Sequence, residues 1–124
     1  VKGILASFGE EMEVDSEEKI GLIGVVSGCG PGFFAYYGEK MTEFLAAHGV
    51  EVMMAEKVAR QTLIGTGEVV RGGDWNLAEL RQKVSSNGGL TEAGVKAMEE
   101  ADMGGAFAKG GEAALKRNEE LSGG

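Results

Sequence analysis

Two short stretches of this chain combine side chains and backbone with a capacity for chemistry. In Ser86-Asn87-Gly88-Gly89-Leu90-Thr91, two hydroxyls flank paired glycines where a helical pattern begins. The first amides of a helix have no partners inside it, and the helix dipole adds partial positive charge there, so a small carboxylate fits such a start. The same pattern also reads as a plain helix start in which Thr91 serves only as the cap. The second stretch, Ser27-Gly28-Cys29-Gly30-Pro31-Gly32, has the glycine content of a phosphate-cradling turn. It follows a helical pattern rather than a strand, however, and lacks G-x-G-x-x-G spacing with a downstream ribose-binding acid. From composition it reads as a turn between two helices.

Other chemistries lack the residues they need. Cys29 is the only cysteine, so no intrachain disulfide or C-x-x-C pair can form. No His or Lys stands near it in sequence to activate its thiol, which argues against a nucleophile. His48 is the only histidine and sits just before Gly49, where a helix should end, so it reads as a helix-terminal residue. No metal site is expected. A net charge of -8 leaves no basic stripe for a nucleic acid. No apolar run approaches the roughly 20 residues that span a bilayer, and Val1-Lys2-Gly3 lacks signal-peptide zones, so a soluble cytoplasmic protein is expected.

The elements that must position these stretches are helical. Val1 to Phe8 reads as the tail of an amphipathic helix ended by Gly9, and Glu10 to Val14 alternates as a short exposed strand would. Asp15 with Glu18 forms a capping-box pattern for a helix to about Ser27. After the glycine stretch, Pro31 suits the first turn of a second helix whose Phe33, Phe34, Tyr37, Met41, Phe44, Leu45 and His48 share one face up to Gly49. A long helix from about Met53 to Arg71 follows, rich in small residues, with Gly65 read as a crossing point for a neighbouring backbone. Asn76 and Glu79 cap a short helix; a fifth carries Val95, Met98 and Ala101, and a sixth runs from about Gly104 to Leu121. With 22 glycines but 43% hydrophobic residues, the chain reads as close-packed helices and not as disorder. Their apolar faces exceed what a small monomer can bury, which predicts a dimer.

The two glycine stretches, in this order, resemble those of pyrroline-5-carboxylate reductase. The resemblance extends over Gly3-Ile4-Leu5, Ser7-Phe8-Gly9, Asp15 to Lys19, Gln61-Thr62-Leu63-Ile64-Gly65, Glu79-Leu80-Arg81, Lys83-Val84-Ser85-Ser86 and Arg117 with Glu119-Glu120-Leu121. It implies an all-α, compact multi-helix domain of the 6-phosphogluconate-dehydrogenase C-terminal type, interlocked with a second copy as a homodimer. Residues 1–14 would be the end of a cofactor-domain helix and a linker, and residues 15–124 the dimerisation and substrate-binding domain. The implied reaction is reduction of 1-pyrroline-5-carboxylate to L-proline by NADP or NAD in reduced form, bound mainly by an N-terminal Rossmann domain, so this part alone would be inactive. The resemblance assigns the substrate to Ser86, Gly88, Gly89, Leu90 and Thr91, with Thr91 catalytic through a hydrogen bond to the ring nitrogen. It assigns the nicotinamide end of the cofactor to Ser27, Gly28, Cys29, Gly30 and Pro31. The partners implied are a second copy and a small imino acid, with no nucleic acid and no membrane. Cys29, Gly32 and Asn87 depart from the usual serine, alanine and proline, and loss of that proline should loosen the loop. A reductase-like paralogue or a non-catalytic helical oligomerisation module is the alternative.

Overall fold

The computed structural model describes residues 13–123, which form five α-helices and, among the described residues, no strand. The helix tail expected over Val1 to Phe8 lies outside the described residues, and so does the strand expected over Glu10 to Val14, apart from Glu13 and Val14, which have no regular structure.

Helix α1 runs from Glu17 to Ala47, 31 residues and so about 46 Å long. Its cap is Ser16, whose hydroxyl accepts from the Lys19 amide at 3.3 Å, one residue later than the expected Asp15 cap. Asp15 instead pairs with the Lys19 ammonium at 2.8 Å. The expected break at Ser27 to Gly32 does not occur: Pro31 lies inside the helix, and six expected helices become five. A proline removes one helical hydrogen bond and crowds the carbonyl four residues earlier, which bends a helix without necessarily ending it. Ser27 adds to this, since its hydroxyl donates to the Ile23 carbonyl at 2.8 Å. Unbroken, α1 is long and apolar enough by length and composition to cross a membrane, contrary to the expectation from sequence.

The end of α1 follows the expected logic. Gly49 takes φ +88°, its amide donates to Ala46 at 3.1 Å and the Val50 amide to Leu45 at 3.0 Å, a Schellman closure. His48 rests its ring on Phe44, centroids 4.3 Å apart, with Nδ1 at 2.8 Å from the Phe44 carbonyl, a structural position.

This tight corner folds α2 (Val52–Gly72) back along α1. The Glu51 carboxylate caps α2 by accepting from Met53 and Met54 at 3.0 and 3.1 Å. Ala55 and Ala59 are buried where α2 meets α1, as the small side chains on this helix suggested. Within one copy Gly65 does not mark a crossing, because no neighbouring atom would meet a Cβ there. Helix α3 (Leu77–Lys83) opens with the expected capping box: Asn76 and Glu79 each accept the other's amide at 3.0 Å. Helices α4 (Leu90–Glu100) and α5 (Met103–Gly123) meet at a sharp corner. Asp102 there has φ +58°, and its carboxylate accepts from Gly105 at 3.2 Å, so one residue closes α4 and caps α5.

Helix α1 packs on α2 and α5, and α4 packs on α5. The Phe107 ring on α5 meets Phe33 on α1 edge-on at 5.8 Å. These contacts bury very little: only Val25, Ala55 and Ala59 form a core among the described residues. The surface is 10273 Å², against about 6,300 Å² for a compact monomer of this mass. Phe34, Tyr36, Phe44, Ile64 and Phe107 all lie more than half exposed. The all-α, multi-helix make-up is as expected, and with so much surface open the single chain is laid out like one half of a larger core.

Candidate functional site at the start of α4

The loop between α3 and α4 is a tight turn. The Gly89 amide donates to the Ser86 carbonyl at 2.8 Å, and Gly88 has φ +69° while Asn87 does not enter the left-handed region. That combination is a type II turn, with Asn87 and Gly88 as its central residues. Gly88 supplies the positive φ, and Gly89 is needed for space, since a Cβ there would lie 2.2 Å from the Ser86 hydroxyl oxygen and 2.9 Å from the Ser86 carbonyl oxygen. The first central position of a type II turn favours proline. Asn87→Pro is accordingly expected to stabilise the protein by about 0.4–1 kcal/mol, read as a higher urea midpoint. A lower midpoint would mean that Asn87 does not have the φ of a type II turn.

Gly89 is the N-cap of α4 and offers no side chain. Thr91 is thus not the cap, and the bland reading of this residue fails: it occupies the second helical position with its side chain free for another partner. Among the described residues, the amides of Leu90, Thr91 and Glu92 and the hydroxyls of Ser86 and Thr91 have no hydrogen-bond partner. The Gly89 amide, in contrast, is committed to Ser86 and the Gly88 amide to the Glu92 carboxylate. Donors open to an outside anion therefore begin at Leu90, which is 94% exposed.

Beside this turn, α3 and α4 enclose a cleft of about 720 Å³ lined by Arg81, Ser85, Ser86, Asn87, Glu92 and Lys96, among others. Ser86 connects the turn to the cleft. Arg81 is held across it by Glu99 at 3.3 Å. Sequence reasoning passed over Glu92, although a glutamate three residues after the capping glycine is the acidic half of a capping box.

The other glycine stretch lies elsewhere. Ser27 to Pro31 forms part of α1, with Cys29 and Gly30 half-buried and Gly28 exposed, and no neighbouring atom would meet a Cβ at Gly28, Gly30 or Gly32. Gly28 and Gly32, one turn apart, leave a shallow face on the helix that a flat ring or another backbone can approach closely, while Gly30 lies on the opposite side. Neither the cleft beside α4 nor a smaller one between α1 and α2, which includes Ala35, Gly38 and Leu63, is lined by both stretches. Within one chain the two are not brought together. No group of His, Cys, Asp and Glu suited to a metal occurs among the described residues.

Comparison with known proteins gives a consistent result. The family model for pyrroline-5-carboxylate reductase dimerisation matches residues 17–121. Pyrroline-5-carboxylate reductase of Staphylococcus epidermidis is 31% identical over 122 residues, 98% of this chain but 45% of that protein. Its Staphylococcus aureus counterpart is 30% identical over the same length. Among solved structures, a pyrroline-5-carboxylate reductase from Coxiella burnetii superposes with a TM-score of 0.83 at 32% identity, over 91% of this chain and 42% of that one. The Plasmodium falciparum pyrroline carboxylate reductase with NADP bound superposes with a TM-score of 0.80 at 23% identity, over 97% of this chain and 49% of that one, a likeness of fold. The chain thus spans about half the length of the curated relatives that it matches.

Proposed function

This chain belongs to the pyrroline-5-carboxylate reductase dimerisation family, and from that premise we propose that it is the substrate-binding and dimer-forming half of a cytoplasmic reductase that converts 1-pyrroline-5-carboxylate to L-proline. The observation that carries this reading is the run of unpartnered amides at Leu90, Thr91 and Glu92, opening a helix beside two free hydroxyls. Such a start holds a small carboxylate through backbone donors and the helix dipole, and the negative net charge of the chain does not prevent it, because the local donors set the field. Ser86 approaches the same carboxylate from across the turn. Thr91 then hydrogen-bonds the ring nitrogen, so that both ends of a small ring are fixed and one carbon is presented for reduction.

A nicotinamide dinucleotide supplies the hydride when bound. The stretch Ser27, Gly28, Cys29, Gly30 and Pro31 would lie against the flat end of such a group, with Gly28 and Gly32, one turn apart on the same side of α1, leaving room for it. Because that face and the α4 turn do not share a cleft in one chain, the complete pocket requires a second copy or a cofactor domain to join them. The protein's own contribution is therefore positioning rather than acid or base chemistry.

The test is kinetic, in the longer protein that carries this chain. Thr91→Ala is expected to lower kcat/KM for pyrroline-5-carboxylate about tenfold, the effect of one lost hydrogen bond, while Thr91→Ser retains most activity. Unchanged kinetics in Thr91→Ala would remove Thr91 from the site.

A further inference from the structure

We propose that the Glu92 carboxylate is a built-in competitor for the substrate's carboxylate at the opening of α4, and that this residue sets how tightly the site takes an anionic ring. The inference rests on the reading of Ser86 to Thr91 given above. Glu92 is the third residue of α4, and its carboxylate folds back over the first turn to accept from the Gly88 amide. It thus already places a negative group on one donor of the turn, the amide two residues ahead of the open amide of Leu90.

The surroundings leave that charge without a cationic partner. Lys96 lies four residues on, borders the same cleft, and is in the favourable order for a glutamate-lysine pair on a helix. Pairs at this spacing close elsewhere in the chain, Lys19 with Asp15 at 2.8 Å and Arg60 with Glu56 at 3.5 Å. Glu92 makes no such pair among the described residues. The other cation of the cleft, Arg81, is engaged by Glu99 at 3.3 Å. The Glu92 carboxylate is therefore held by a single backbone amide, a donor of the kind that a bound carboxylate would use. An arriving anion either meets like charge at close range or drives Glu92 off Gly88 towards Lys96, where an ion pair is waiting to form.

The competing explanation is that Glu92 only steadies the helix start, as the acidic member of a capping box does. Glu92→Gln separates the two, because it keeps the shape and an accepting oxygen but removes the charge. With pyrroline-5-carboxylate as the probe and the full reductase as the enzyme, the competitor role predicts a KM lowered about three- to tenfold, with kcat within about twofold. The gain should shrink at high ionic strength. Glu92→Ser, which offers a hydroxyl for the helix start, is expected to lower KM in the same direction and guards against a folding defect peculiar to glutamine. A KM that stays level or rises in both variants, or a kcat that falls as far as KM, overturns the competitor role and leaves the site intact. Absence of turnover in the parent and both variants, with the dimer preserved, overturns the site itself.

Discussion

Sedimentation equilibrium of this chain at micromolar concentration is expected to return twice its 12.9 kDa mass, and Phe34→Glu and Phe44→Glu are each expected to weaken the dimer about a thousandfold. The expectation follows from the missing core. Among the described residues only three small side chains are buried within one copy, while Phe34 and Phe44 are both 63% exposed. Covering a phenylalanine contributes roughly 1.5–3 kcal/mol, and forcing an unpaired carboxylate into the same place costs more than that gain. Since so little is buried without the second copy, the charged variants should also lose helical circular dichroism on dilution. Because α1 is also apolar enough to cross a membrane, the measurement is made without detergent. A stable monomer with a cooperative melt would show that the exposed faces serve something other than a second copy.

The next largest effect is expected at Gly89. Gly89→Ala should lower kcat/KM for pyrroline-5-carboxylate about a hundredfold or more in the full reductase, with the dimer retained. The new methyl would lie 2.2 Å from the Ser86 hydroxyl, which can rotate away, and 2.9 Å from the Ser86 carbonyl, which cannot without opening the turn. Opening it displaces the Leu90 and Thr91 amides, and a shift of about 1 Å in positioning groups is enough for a loss of this size. Adding Ser86→Ala should not restore activity, because the carbonyl clash persists. Gly88→Ala should be milder, costing about 1 kcal/mol through its φ of +69°. Full activity in Gly89→Ala would place substrate binding away from this turn.

How much of this was legible in the sequence depends on how local each signal is. The Asn76 and Glu79 box, the Gly49 stop, the α2 span and the helix opening behind Gly88-Gly89 are each decided within a few residues, and each was readable. The unbroken α1 was not. Its glycines and Pro31 argue locally for a turn, but one lost hydrogen bond is outweighed by the regular helix on either side. Nor could periodicity reveal that the apolar faces stay open in one copy, because the same pattern would describe a buried helix. At the candidate site, the stretch Ser86 to Thr91 stood out from its paired glycines before a helix, while the roles of Ser86 and Thr91 followed only from the family resemblance. The Glu92 contact escaped notice because it depends on a side chain turning back against the chain direction.

The corner at Asp102 has a mechanical meaning. Only two residues, Ala101 and Asp102, join α4 to α5, and α5 in turn sets Phe107 against Phe33, two residues beyond Pro31. A tilt of α4 would therefore pass through this short corner and α5 to the glycine-proline segment of α1. The two halves of a divided pocket would then register each other's occupancy through leverage, without touching.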